Sequence, residues 1–294
     1  MDHIVVLTRQ PESYAARRFL EAANDRQELR LRLMDPHDLY LQISQGEANT
    51  FLAKEGFDPA STAVIPRLGS TATEYSLAAL DLLERAGASS VNSAASLLRL
   101  RNKFSALAEL GANGIPVPDS AMLRAPGEVS HAVERLGGYP VVIKFIRGSQ
   151  GVGVIYAPDE SVVTSVLEAM NLVQYDVLLQ RYYPAGAERD LRVLVLGGKP
   201  RWAVRRTVAA GKFRSNFHRG GTAEAVDIDE KTRELAARAA GVFGLGLAGV
   251  DLIEDDGSII VMEVNSSPGF QTIEQAHKND VAGAILDYTA MDKT

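Results

Sequence analysis

Cysteine is absent from all 294 residues, which excludes a disulfide framework, a thiolate zinc site and a cysteine nucleophile. Long apolar runs are missing as well. None approaches the roughly 20 residues of a membrane-spanning helix, and the N-terminus lacks a signal-peptide pattern. Nor is there an excess of basic charge: 31 Lys and Arg stand against 37 Asp and Glu, net -6, which argues against nucleic acid or an anionic membrane as the main partner. A soluble, cytoplasmic protein is the expectation, and its length predicts two or three subdomains around a large core.

Against these absences stands Leu247 to Phe270, LAGVDLIEDDGSIIVMEVNSSPGF. Two apolar runs, Gly249 to Ile253 and Ile259 to Val264, flank an acidic, Gly-containing stretch, which predicts a β-hairpin. Side chains alternate along a strand, so Glu263 and Asn265 share a face, and a turn over Asp256 to Ser258 sets Asp251 opposite Glu263. Two carboxylates side by side in apolar strands call for a cation. Hard Mg2+ takes carboxylate and amide oxygens together with substrate phosphates, so Asp251, Glu263 and Asn265 are the candidate metal ligands.

Upstream, the strand Ile4 to Leu7, a helix over Glu12 to Ala23 and the alternating Leu29 to Leu33 begin a strand, helix, strand order. It continues through Ala63 to Ile65, a helix over Glu74 to Ala86 and a strand near Val91, predicting a small parallel-sheet α/β domain over residues 1–95. Arg67 falls just past a strand's carboxyl end, where open α/β sheets bind ligands. Ser96 to Leu110 reads as one amphipathic helix carrying Lys103, stopped by Gly111 to Gly114. A second unit, 96–180, follows, with a strand near Ala121, a helix over Val129 to Leu136 and a strand over Tyr139 to Phe145. Lys144 interrupts that last apolar run and needs an anion. Directly after it, Gly148, Ser149, Gln150, Gly151 and Gly153 form a glycine-rich loop that can close over phosphates; it is not a P-loop, because Val154 stands where Lys is required.

A third unit, 181–294, opens where the strand Tyr175 to Tyr182 leaves its sheet through Gln180, Arg181 and Tyr182, exposing backbone groups of the kind that read an adenine ring. The acids that follow, in Ala187 to Arg192, are candidates to hold ribose hydroxyls. The strands Leu191 to Leu196 and Arg201 to Thr207 form a second hairpin. Its end, Arg205-Arg206, with Arg214, Ser215, Asn216, His218 and Arg219, makes the densest positive patch of an acidic chain and wants a small, multiply charged anion. Gly244 to Gly249 matches G-x-G-x-x-G but follows a helix and precedes a strand, so it reads as a helix cap and tight turn.

The order of these features resembles that of ATP-grasp ligases, an α/β (α+β) architecture of a small parallel-sheet domain followed by two α+β subdomains. The strings VIPRLG, RNKFSAL, VVIKFIRGSQGVGV, RDLRVLV, FRSNFHRGG, AGVDL and VMEVNSSPGF narrow the likeness to the RimK family, α-L-glutamate ligases whose namesake extends the C-terminus of a small-subunit ribosomal protein. The resemblance implies that Lys103 and Lys144 contact ATP phosphates, that backbone near Arg181 and Tyr182 reads adenine, and that Asp190 and Arg214 to Asn216 belong to the nucleotide site. It further implies two Mg2+ or Mn2+ ions on Asp251, Glu263 and Asn265, with Glu263 the bridge. Arg205, Arg214, Asn216 and Arg219 become the catalytic candidates, with L-glutamate and the C-terminus of a ribosomal protein as substrates and a homo-oligomer, a tetramer, as the assembly. One position departs. Arg181 stands where the family carries Glu, which leaves adenine to backbone atoms, or shifts base preference if a carboxylate is needed.

Overall fold

The computed structural model describes residues 2–44, 47–52, 58–69, 73–146, 153–208 and 221–291. The chain runs β1 (Asp2–Leu7), α1 (Tyr14–Asn24), β2 (Leu29–Met34), β3 (Leu39–Ser44), β4 (Glu47–Leu52), β5 (Thr62–Pro66), α2 (Glu74–Arg85), β6 (Ser89–Ser90), α3 (Ala94–Arg99) and α4 (Lys103–Ala112). There follow β7 (Ser120–Leu123), α5 (Val129–Arg135), β8 (Val141–Phe145), β9 (Val154–Ala157), α6 (Glu160–Leu172), β10 (Val177–Arg181) and α7 (Pro184–Glu188). The last part holds β11 (Arg189–Leu196), β12 (Lys199–Thr207), β13 (Thr222–Ala225), α8 (Glu230–Val242), β14 (Leu247–Asp255), β15 (Ser258–Asn265), α9 (Gln271–His277) and α10 (Val281–Met291).

Three sheets carry the molecule. The first, in the order β2-β1-β5-β6, is wholly parallel, and β5 is buried along its entire length, as a central parallel strand should be. The second, β7-β10-β8-β9, and the third, β13-β12-β11-β14-β15, are antiparallel. Six helices begin where a side chain accepts a first-turn N–H, that of Ser13, Thr73, Ser93, Asn102, Asp159 or Asp229.

One expected helix is two. Apolar periodicity continues through Leu98 and Leu100, yet α3 ends at Arg99 and α4 starts afresh at Lys103. The Asn102 side chain accepts from the N–H groups of Phe104 at 3.0 Å and Ser105 at 3.1 Å, and that local bond replaces a helical one. Lys103 consequently opens a helix instead of lying inside one. The hairpin β3–β4 and helices α6, α9 and α10 are additions to the sequence expectation.

The first sheet is not a separate lobe. Ile4, Val6, Phe19 and Ile65 share one core with Leu194, Leu247, Phe270, Val281 and Ile285, joining the first unit to the third sheet and its last two helices. Asn92 stitches the same seam, donating 2.7 Å bonds to the carbonyls of Leu247 and Ser266 and accepting from Leu247 N at 3.1 Å. Gly246 sits there without a side chain because a Cβ would lie 2.5 Å from the Val91 carbonyl. The end of β6, the start of β14 and the end of β15 are thereby held together.

Candidate active site

The hairpin β14–β15 turns through Asp256 and Gly257, both at positive φ (44° and 74°), the geometry a two-residue hairpin loop demands. Its register sets Asp251 opposite Glu263, as expected, and Gly249 opposite Asn265, but by a different route: Asp255 pairs with Ser258, so the turn is one residue shorter than expected, and a register shift between Asp251 and Leu252 restores the pairing. Gly249 leaves room above Asn265 for the chain to fold back, since a Cβ there would come within 2.7 Å of Pro268. The side-chain nitrogen of Asn265 is buried with no hydrogen-bond partner among the described residues.

Sequence reasoning asked for a cation beside these acids, and the chain supplies three of its own. Arg192, on β11 opposite Asp251, clasps its carboxylate through Nε and Nη2, both at 2.7 Å. Arg206, on β12, binds Asp190 through Nε at 2.7 Å and through Nη2, which also reaches Asp251 at 3.1 Å. Lys103, released to the start of α4, pairs with Glu263. Asp190, Asp251 and Glu263 therefore face Lys103, Arg192 and Arg206 in a balanced set. Burial pushes the Glu263 carboxyl up, but Lys103, its hydrogen bond and the more distant charge of Lys144 outweigh that and the repulsion of Asp251, holding Glu263 below the usual carboxylate value.

Beside this set lies a cleft of about 360 Å³, open to solvent, between the second and third sheets. Val142, Lys144 and Gln180 line it from one side and Ile253 and Met262 from the other, while Arg181 to Tyr183 with Gly186 and Ala187 of α7 form its end. Its walls are apolar and its end is backbone, the arrangement that receives a flat heterocycle. Lys144 donates to the Gln180 side-chain oxygen, and the Gln180 amide donates to Ser120 Oγ at 3.0 Å. The Arg181 side chain is 52% exposed and leans to Asp119, 3.6 Å away, and over the Tyr183 ring at 5.6 Å. Tyr156 and Tyr182 meet edge to face across the mouth, with centroids 5.1 Å apart.

The structure thus brings together Lys103, Lys144, Gln180, Arg181, Tyr182, Asp190, Asp251, Glu263 and Asn265. Arg205 stands apart. Side chains alternate along β12, so with Arg206 facing Asp251, Arg205 points to the opposite face, where it lies 3.7 Å from Glu224. Gly153 closes the turn into β9 at φ 82°, packed against Phe145, while Gly148, Ser149, Gln150 and Gly151 lie outside the described residues, as do Arg214, Ser215, Asn216, His218 and Arg219. Arg192 is the site residue that sequence reasoning missed, and Arg206, expected in a patch for a small anion, instead clasps Asp190 and Asp251. The signal was in the RDLR spacing, which puts Asp190 and Arg192 on one strand face.

Two carboxylates and an amide are too few for an all-protein metal cage, and no cluster of three or more His, Asp or Glu among the described residues could hold an ion. They do suit Mg2+, which keeps few protein ligands and takes the rest from phosphates and water. The orphaned Asn265 amide offers a further polar atom, and its nitrogen and oxygen are interchangeable by a flip. Asp251, Glu263 and Asn265 would hold the ion.

A parallel N-terminal sheet followed by two antiparallel sheets with an apolar cleft between them, floored by an acidic hairpin, defines an ATP-grasp enzyme. A sequence profile of the RimK-like ATP-grasp domain matches residues 100–289, and one of the RimK PreATP-grasp domain matches residues 2–97. The chain belongs to the RimK family and is a RimK-type ATP-grasp ligase. It is 38% identical over 285 residues to a "Probable alpha-L-glutamate ligase 1" of Shewanella amazonensis, covering 97% of this chain and 94% of that one. A "Probable alpha-L-glutamate ligase" of Hydrogenovibrio crunogenus is 37% identical, with 97% and 94% covered. Among solved structures, a RimK domain ATP-grasp protein of Sphaerobacter thermophilus superposes with a TM-score of 0.76 at 24% identity, covering 97% of this chain and 98% of that one. The ATP-grasp ligase PsnB, solved with its minimal precursor, Mg and ADP, gives 0.76 at 21%, with 99% and 97% covered. These likenesses below 25% identity speak for the fold. No helix among the described residues is long and apolar enough to cross a membrane.

Proposed function

We propose that the protein uses ATP and Mg2+ to activate a carboxylate as an acyl phosphate and joins it to the amino group of L-glutamate, the acceptor being the C-terminal carboxylate of a small-subunit ribosomal protein. The observation that carries the chemistry is the register of β14 and β15, which sets Asp251 opposite Glu263 beside Lys103 and next to the apolar cleft. A nucleotide base in that cleft puts its phosphates along Lys144 toward Lys103 and the acidic hairpin. Glutamate as the amine donor is supported by the names of relatives that match 97% of this chain.

A carboxylate resists an amine because it is anionic and lacks a leaving group. Transfer of the γ-phosphoryl supplies one, and the amine then displaces phosphate from the acyl carbon. Mg2+ when bound would offset phosphate charge and align the transferring group. Lys103 and Lys144 hold phosphate oxygens, and Arg192 and Arg206 fix the Asp251 carboxylate in direction. Glu263, with Asp251 and Asn265, would hold the ion, and Lys103, which pairs with Glu263 here, supplies positive charge beside the phosphates. Closure of the Gly148 to Val154 loop keeps water from the acyl phosphate. Arg214, Ser215, Asn216 and Arg219 serve the substrate anions, whereas Arg205, on the far face, is left out. The assembly is a cytoplasmic homotetramer. Incubation with ATP, Mg2+, L-glutamate and peptides ending in a free carboxylate, read by mass spectrometry, should show ADP and a product heavier by one glutamyl residue; ATP binding without ADP would refute the reading.

A further inference from the structure

Arg67 leaves β5 at its carboxyl end, its N–H bonded to the Leu7 carbonyl at 2.8 Å. Its guanidinium reaches across the seam, donating through Nη1 to the Pro268 carbonyl at 2.8 Å and lying 5.8 Å over the Phe270 ring. Phe270 is itself fully buried and braced edge to face by Phe19 and Tyr14. Arg192 and Arg206 each clasp a carboxylate; Arg67 has none among the described residues. Protein packed around it lowers its pKa to about 10, with no acid opposing. A desolvated guanidinium with one carbonyl partner retains donors in a fork that matches a carboxylate.

Its position says which carboxylate. Along the last strand and its extension come Met262 in the nucleotide cleft, Glu263 and Asn265 in the acidic set, and then Pro268, the anchor of Arg67. Three residues span at most about 10 Å. Arg67 therefore lies just beyond the acidic set, on the side away from the base, while the phosphates have Lys103 and Lys144. The carboxylate that is phosphorylated must give up its charge, and a permanent cation fixed on it would favour the ground state. The amine donor is different, because its carboxylates stay unchanged throughout.

Resting on the proposed reaction, we infer that Arg67 holds a non-reacting carboxylate of the amino acid whose amine attacks the acyl phosphate, and so selects carboxylate-bearing amines. It is a specificity residue contributed by the first unit to chemistry performed on the third. The alternative, a strut that merely ties Pro268 to β5, would affect every amine alike.

Hydroxylamine separates the two, since it traps an acyl phosphate yet has no carboxylate. With a peptide acceptor, Arg67→Ala should raise KM for L-glutamate at least tenfold, Arg67→Lys should recover part of that loss, and KM for ATP and the hydroxamate rate should stay within twofold of wild type. Parallel loss with both amines, or an unchanged KM for glutamate, overturns the inference. Wild-type enzyme that forms hydroxamate but no glutamyl product refutes glutamate as the donor instead, and the same comparison is then decided with the amino acid found ligated. Wild-type enzyme that forms neither product removes the proposed reaction and the inference with it.

Discussion

Glu274 gives the structure's most quantitative stability test. Its carboxylate is buried at 7% exposure and takes five donors: the Tyr14 hydroxyl at 2.6 Å and Arg18 Nε at 2.9 Å on Oε2, and the N–H groups of Val281 at 3.0 Å and Ala282 at 3.1 Å with Arg18 Nη2 at 3.5 Å on Oε1. One side chain on α9 thus ties α1 to the first turn of α10. Glutamine keeps the shape but not the charge: on the Oε1 side its NH2 meets the two backbone N–H groups, and on the Oε2 side it meets Arg18 Nε while the Tyr14 hydroxyl can turn to accept. Losing the Arg18 Nε bond together with the charge that strengthens the others, equivalent to about two charged hydrogen bonds at about 1.5 kcal/mol each, costs about 3 kcal/mol. Over 294 residues unfolding as one unit, an entropy of about 2.1 cal/mol/K per residue gives roughly 0.6 kcal/mol per kelvin, so Glu274→Gln should lower Tm by about 5 °C at pH 7. Burial raises the Glu274 pKa, but the bonds from Arg18, Tyr14 and the backbone overcome it and hold the pKa below normal. The stabilisation is therefore complete above the ordinary glutamate value near 4.3 and disappears as pH falls through the lower folded value. Differential scanning calorimetry from pH 7 to pH 3 should show the gap between wild type and variant closing on the acid side. A variant within 1 °C of wild type at pH 7, or a gap that widens on acidification, would refute the reasoning.

Three further outcomes follow from the site. Glu263→Gln should cut ADP formation by at least a hundredfold at ordinary Mg2+, and near wild-type turnover would remove Glu263 from the metal role. Arg192→Met leaves Asp251 buried with half its clasp gone, so urea unfolding should report a loss of about 3 kcal/mol; unchanged stability would mean the clasp is not formed in solution. Gly186→Ala places a Cβ 2.9 Å from Ile253 in the wall of the cleft, and should raise KM for ATP several-fold while leaving that for glutamate within twofold.

That Asp251 and Glu263 share one face of a hairpin was legible from the period of two and the acidic turn, but the turn is one residue shorter than expected and a register shift between Asp251 and Leu252, which no local signal announces, restores the pair. What the pair lies against was not legible. Arg192 meets Asp251 through the pairing of β11 with β14, across 59 residues of sequence, and Arg206 rather than Arg205 enters the site because the register of β12 chooses one face. The division of the Ser96 to Leu110 helix escaped for the opposite reason: a single capping side chain, Asn102, overrides an apolar period that runs straight through it. Cations that answer buried acids come from distant strands, so a demand for charge is readable before its source is.

The central claim is that a carboxylate is activated by phosphoryl transfer on this hairpin. An acceptor peptide labelled with 18O in its terminal carboxylate tests it directly. The account predicts one 18O in the inorganic phosphate released for every amide bond formed, with ADP as the nucleotide product. Unlabelled phosphate, or label found in AMP, would contradict it.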